Sequence, residues 1–228
     1  MSSTRRPLLQ DAAAIVGIGQ TEFAKSIDRP ETQLAAEAVV AALTDAGISP
    51  SEVDGLSSFT IETTDEVTMA KTIGAGDITY FSQVGYGGGA GCATIGHAAM
   101  AIATGQANVV VAWRSRKRGD KASRPWAAAP SRLPIQAQWT RPFGLLRPVD
   151  EVSMLARRYF HDYGGSRAQL AEVAMAIRAH ANRNPLATMY EKPMSLDDYM
   201  SARFITEPLC LFDNCLETDG ALAAVLVS

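Results

Sequence analysis

Between Val84 and Gly105 the chain reads VGYGGGAGCATIGHAAMAIATG, and past Gln106 and Ala107 it continues as Asn108-Val-Val-Val-Ala-Trp113. The residues from Ala90 to Thr104 are small and helix-compatible, and Gly105 ends them. A helix with such short side chains gains its stability from close packing of helix on sheet rather than from its own surface. The run up to Trp113 is continuously apolar, without the alternation of a half-exposed strand, so it reads as a strand buried on both faces. Together the two segments call for a layered α/β arrangement in which a sheet is covered on both sides.

The remaining segments fit that frame. Ala12 to Ile18 is another short buried run. A helix is predicted from about Thr32 to Ala46, with Pro30 near its start, Leu34, Ala38, Ala41 and Ala42 on one face, and Gly47 as the C′ residue. Ser49, Pro50 and Glu52 carry the N-cap, N1 and N3 signals of a short helical turn. Leu56 to Ile61 supplies a second strand, Thr63 to Ile73 a polar helix, and Ile78 to Val84 a third strand. Between Arg114 and Asp150 the prolines at 125, 130, 134, 142 and 148 deny long regular elements. Helices follow at about Val149 to Tyr163, Ser166 to Asn182 and Leu196 to Arg203, and Asp219 to Ser228 is a turn and a last buried strand. The fold class is therefore α/β: a five-stranded mixed, mostly parallel sheet with helices on both faces, interrupted by an irregular helical excursion.

Several function classes are excluded. No run of about twenty apolar residues is present, so no membrane span is predicted. No long apolar stretch follows the arginines of MSSTRRPLLQ, so that segment is not read as a signal peptide. Cys92, Cys210 and Cys215 form no CxxC pair and share no metal-ligand spacing with His97, His161 and His180. They read as reduced thiols of a cytoplasmic protein without a metal site. The net charge of −3 is unevenly spread. Nine Arg or Lys stand against two acids from Trp113 to Asp150, and all three tryptophans lie in that stretch. It reads as a solvated loop, a CoA phosphate site, a subunit interface or a nucleic-acid surface. The acidic balance of the rest of the chain argues against nucleic acid.

Gly85-Tyr-Gly-Gly-Gly-Ala90 nominally satisfies a dinucleotide-binding pattern between strand and helix. It lies on a later strand than the first, however, and no acidic residue follows the next strand, where Trp113-Arg114 stands. A phosphate-binding P-loop is excluded, because no GK[ST] is present. Close packing of helix on sheet accounts for Gly91, Gly96 and the alanines whatever the function.

A third reading uses the whole segment. GCATIGHAAMAIATGQANVVVAW resembles the nucleophile region of the thiolase superfamily. AAIVGIGQTEFAK resembles the first strand and turn of its lipid-transfer, sterol-carrier-protein-X-like branch, and AAEAVVAALTDAGISPSEVDGL the first helix and turn. LAEVAMAIRAHANRNPLA is similar to a loop-domain helix, and FITEPLCLFDNCLETDGALAAVLVS to the segment returning to the core. The resemblance covers nearly the whole chain in colinear order. It implies a thiolase-like core at residues 1–113 and 206–228 and an inserted loop domain at 114–205. Two similar halves pack together in this superfamily, and the chain resembles the first half with its loop domain. A second half or partner chain is then expected to supply the main acid and base, and the chain alone to expose apolar surface.

The nucleophilic cysteine of thiolases lies seventeen residues before the glycine that ends its helix, and counting back from Gly105 reaches Gly88. Cys92 is about 6 Å further along the axis, and is expected to have left the helix N-terminus and to be a small buried core thiol. Without a thiol at Gly88 no acyl-enzyme forms by the usual route. Aldol cleavage of a β-hydroxyacyl-CoA needs none: it needs a base for the β-hydroxyl and donors for the thioester enolate. The resemblance is nearest to aldolases of steroid side-chain degradation, which work with an OB-fold partner carrying a DUF35 region. It implies Gly87, Gly88 and Gly89 lining the reaction pocket, Tyr86 as a candidate proton donor (or a packing ring), and Cys92 beside the substrate. Arg147, in FGLLRPVDEV, and Arg116 are implied at CoA. Arg114, Lys117 and Arg118 are further phosphate candidates, with a charge run or a partner contact as the alternative, and His97 reads as a core histidine. CoA enters as part of the substrate, and the thiolase-like subunit is expected as a homodimer within a hetero-oligomer. The alternatives are an acyltransferase using Cys92 and a non-catalytic acyl-CoA or sterol scaffold.

Overall fold

A computed structural model describes residues 10–59, 62–85, 90–118 and 136–228. They fall into two compact units, one of residues up to 118 together with 218–228, the other of residues 136–217.

The first unit is an α/β layer. Its strands are β1 (Ala14–Gln20), β2 (Gly55–Phe59), β3 (Tyr80–Val84), β4 (Val109–Arg116) and β7 (Gly220–Val227), joined in the order β1-β7-β4-β2-β3. β2 runs parallel to both β3 and β4, while β7 is antiparallel to β4 and β1. Four strands thus share one direction, and the last to be made inserts between β1 and β4 against them.

Helices α1 (Glu31–Ala46) and α2 (Glu66–Ile73) cover one face, and α3 (Ala90–Ala103) the other. On the first face Leu34, Val39 and Leu43 pack with Leu56, Val111, Trp113 and Val225. Each such buried aliphatic side chain contributes roughly 1.5–3 kcal/mol. On the second, Ala98, Ala101 and Ile102 meet Val110, Ala112 and Leu226. The continuous apolar run of β4 and the small-residue helix have the same cause, a strand buried on both faces. Asp54 ties the base of the layer, accepting from the backbone N–H groups of Asn108 and Val109.

Several boundaries move. The first strand begins at Ala14 rather than Ala12, and the polar helix begins at Glu66 because Asp65 caps it, accepting from the Thr68 N–H at 2.7 Å. The buried stripe of α1 is Leu34, Ala35, Ala38, Val39, Ala42 and Leu43, and Ala41 is exposed. Gly47 ends α1 in the left-handed conformation, φ 67°. The turn at Pro50–Glu52 forms with the Glu52 carboxylate accepting from the Ser49 N–H.

The second unit holds α4 (Pro148–Tyr163), α5 (Arg167–Ala181), α6 (Leu196–Ser201) and a two-stranded ribbon, β5 (Phe204–Thr206) with β6 (Leu209–Cys210). Its core joins Ala171, Tyr199 and Cys210 to Leu170, Ala174, Met175 and Phe212. The Tyr199 hydroxyl donates to Asp213 at 2.7 Å, and burial raises its pKa.

Candidate functional site

In an open α/β sheet the ligand crevice lies beyond the carboxyl ends of the parallel strands. Here those ends are Phe59 of β2, Val84 of β3 and the Arg114–Arg116 segment of β4. Tyr86, Gly87, Gly88 and Gly89, which join β3 to α3, lie outside the described residues. Their neighbours are in place: Phe59 and Val84 pack with Ala90 and Ala93 of α3's first turn. Below them the Ser57 hydroxyl donates to the Thr94 carbonyl at 3.2 Å, with the Ser82 hydroxyl 3.0 Å away, so the α3 face of β2 and β3 is stitched to the helix.

Arg114 stands in this crevice wall. β2 runs beside β4 with Ser57 next to Ala112, and the same offset sets Phe59 beside Arg114. The guanidinium carbon lies 4.1 Å from the centroid of the Phe59 ring, a cation–π contact. Burial, and then the charge of Arg116, pull the Arg114 pKa below its ordinary value. On the opposite side of β4, Ser115 donates its N–H and hydroxyl to the buried Glu62 carboxylate. Burial raises the Glu62 pKa, against the pull of the Ser115 and Thr64 hydrogen bonds. Sequence reasoning missed both pairs. The period of two along β4 puts Val110, Ala112 and Arg114 on one face, but nothing local says that Phe59 and α3 share it.

Cys92 differs from the expectation twice. It sits in the first turn of α3, whose bounds are Ala90–Ala103, and it is exposed. The helix turns Ala90, Thr94, Ala98, Ala101 and Ile102 inward, and Cys92 lies on the other side. His97 is half-buried rather than a core residue, and its carbonyl accepts from the Tyr80 hydroxyl at 3.4 Å.

Of the other candidate cations, the side chains of Arg116 and Arg147 are paired within their own units, while Lys117 and Arg118 are tied by their backbone N–H groups. Arg116 faces Glu31 at 3.4 Å, and the Lys117 N–H donates to the same carboxylate. The Arg118 N–H donates to Asp219, which also accepts from the Ile27 N–H. In the second unit Arg147 is the N-cap residue of α4 and pairs with Asp150 at 2.7 Å. The Asp150 carboxylate also accepts from the N–H groups of Leu146 and Arg147 and from the Thr206 hydroxyl. These donors, Arg147 first, hold the Asp150 pKa well below the usual carboxylate range. Arg147 is thereby spent on joining α4 to β5. Among the described residues no cluster of three His, Cys, Asp or Glu is arranged for a metal ion, and no helix is long and apolar enough to cross a membrane.

Residues 13–228 match the family model described as thiolase, N-terminal domain. The chain is 46% identical to the 17-hydroxy-3-oxo-4-pregnene-20-carboxyl-CoA lyase of Mycobacterium tuberculosis and to the steroid side-chain-cleaving aldolase of Thermomonospora curvata. Each comparison covers 97% of this chain and 58% of the relative, so the chain spans little more than half the length of these relatives. A solved structure described as Ltp2-ChsH2(DUF35) aldolase superposes with a TM-score of 0.87 at 46% identity, covering 95% of this chain and 56% of that one.

Proposed function

Because the chain belongs to the thiolase family, through that family's N-terminal domain, we propose that it forms the first half of an aldolase that cleaves a β-hydroxyacyl-CoA by retro-aldol chemistry in steroid side-chain degradation. The observation that carries this reading is 46% identity along nearly the whole chain to two proteins named as a lyase and an aldolase of that kind. The chemistry is consistent with it. A glycine, Gly88, stands where thiolases carry the nucleophile, and a retro-aldol cleavage forms no acyl-enzyme. A base takes the β-hydroxyl proton, the Cα–Cβ bond breaks, and its electron pair passes to the thioester as an enolate. A proton then returns to Cα, leaving a ketone and a shorter acyl-CoA. In this reading Tyr86 and Gly87 to Gly89 border the pocket, and the main acid and base come from a second half or partner chain. Arg147 and Arg116 would have to leave Asp150 and Glu31 to meet CoA, so we assign both to the scaffold.

The exposed surface suits such an assembly. Beyond the α3 cluster the same sheet face carries Ile18, 68% exposed, and Leu222, 50% exposed, where a second half would pack. β3 is an edge strand with Phe81 66% exposed, a suitable seam for a second copy. The solved structure described as Ltp2-ChsH2(DUF35) aldolase supports a DUF35 partner for this chain as well. A substrate carried on CoA places the work in the cytoplasm. The test is to isolate the complex through a tag on this chain and incubate it with a steroid β-hydroxyacyl-CoA. Mass spectrometry should find the ketone and the shortened acyl-CoA, and their absence would overturn the reading.

A second reading, an acyltransferase using Cys92, is kept because that thiol lies exposed in the first turn of α3. A Cys92→Ala complex that turns over normally and forms no acyl adduct eliminates it.

A further inference from the structure

We propose that Arg114 is this chain's cationic donor to the thioester oxygen, stabilising it as it becomes the enolate oxygen during carbon–carbon cleavage. The inference rests on the aldolase reading above and adds to it the group that receives the negative charge.

Four observations lead there. Arg114 occupies the α3 face of β4, one step beyond Val110 and Ala112, which pack with α3's Ala98 and Ala101. It therefore lies at the carboxyl ends of the parallel strands, beside the start of α3 at Ala90. Next, the side chain is held. Its guanidinium rests on the Phe59 ring, and that ring packs against Val84 and Ala90 at the start of α3. A planar cation fixed on a ring loses little freedom when it meets an acceptor.

The third observation is what the guanidinium lacks. Its Nη1 is shut off from solvent and has no hydrogen-bond acceptor. An unmet buried donor costs about 1–3 kcal/mol, and such a group in a folded protein calls for a reason. Arg116 and Arg147 meet carboxylates, Glu31 and Asp150, and the Nε atoms of Arg29 and Arg167 are likewise buried without a hydrogen-bond acceptor. Among the described residues no carboxylate forms an ion pair with Arg114, although Glu62 and Glu31 lie near enough for their charges to act on it. Finally, the reaction supplies the missing charge. Breaking the Cα–Cβ bond moves an electron pair onto the thioester oxygen, and a preorganised donor there acts more strongly on the enolate than on the neutral carbonyl.

The test separates this role from assembly and folding. The complex isolated through this chain is prepared as wild type, Arg114→Met and Arg114→Gln. Two rates are read: retro-aldol turnover, and exchange of the α-protons of the shorter acyl-CoA in deuterium oxide, which requires the enolate alone. Arg114→Met should lower both by about 100- to 1,000-fold and shift KM by less than about threefold, as expected when an interaction is made chiefly in the transition state. Exchange at the wild-type rate in that variant overturns the proposal, as does a defect confined to assembly of the complex. If the methionine variant does not fold, Arg114→Gln, which keeps a donor without the charge, should lose about tenfold or more, and an unchanged rate overturns the proposal equally. A wild-type complex that neither cleaves nor exchanges removes the aldolase reading itself. An active wild type with an unimpaired Arg114→Met removes only the role of Arg114.

Discussion

Asp150 shows how much one carboxylate can organise. Only 5% exposed, it accepts from Arg147, from Thr206 and from two backbone N–H groups at the start of α4. Arg147's side chain is 41% exposed, so solvent weakens the charge term and most of the gain is hydrogen bonding. Asp150→Asn should cost on the order of 2 kcal/mol at pH 7, read from urea unfolding of the second unit's helices. The sign with pH follows from the depressed folded pKa. Its contribution is whole above the unfolded value near 3.9 and is lost as pH falls through the folded one. The gap between wild type and Asp150→Asn should therefore narrow steadily below about pH 4; a gap independent of pH would contradict this account. The cysteines give a second check. Cys92 and Cys215 are exposed and Cys210 is buried. In the chain by itself two thiols should react promptly with a thiol reagent and the third only after denaturation.

The glycines of β1 explain how α1 reaches the sheet. A Cβ on Gly17 would lie 2.2 Å from the Ala42 carbonyl oxygen, and one on Gly19 would lie 2.2 Å from that of Ala38. The helix backbone rests directly on the strand, and α1 cannot retreat without unpacking Leu34, Val39 and Leu43. Gly17→Ala or Gly19→Ala should each cost about 3 kcal/mol or more, seen as a lowered melting temperature. Gly47→Ala, with nothing within 4 Å of its Cβ, should show only the smaller strain of its left-handed backbone. The elements themselves were largely readable: apolar runs announced β1, β4 and β7, although β1 is an edge strand with Ile15 and Ile18 exposed rather than a buried one, and Pro30 and Gly47 bounded α1. What could not be read was the phase of α3. Its residues are nearly all small, so no apolar stripe distinguishes one side, and Cys92 was placed inward although it faces out. The tie between Asp150 and Thr206, 56 residues apart, left no local trace either.

Seen whole, the first unit is a sheet layer with one face only partly covered. α3 shields β4 and β2, and Ala224 of β7 packs at the edge of its cluster, while Ile18 and Leu222 stay exposed. The second unit bears its own bare row on α4, with Leu155 70% and Tyr163 75% exposed. Ile18→Lys together with Leu222→Lys should change the stability of the chain alone by no more than about 0.5 kcal/mol per site, the usual range for exposed positions. In the proposed assembly the same pair should weaken association roughly 30-fold or more, because lysines would then be desolvated at the centre of an apolar contact. Unfolding curves and sedimentation of the two preparations would check this, and an assembly indifferent to the lysines would place the proposed contact elsewhere.

Apolar periodicity, caps and the colinear family motifs were enough to specify an α/β layer, its strands and helices, and a first half of a thiolase-like protein. These are short-range signals, because burial on one or two faces leaves its period in neighbouring residues. The position of β7 between β1 and β4, the pairing of Arg147 with Asp150, and the seating of Arg114 on Phe59 were decided by the folded chain. Strand order and charge partners depend on contacts between segments far apart in sequence, and the energy of those contacts exists only once the chain has brought the segments together.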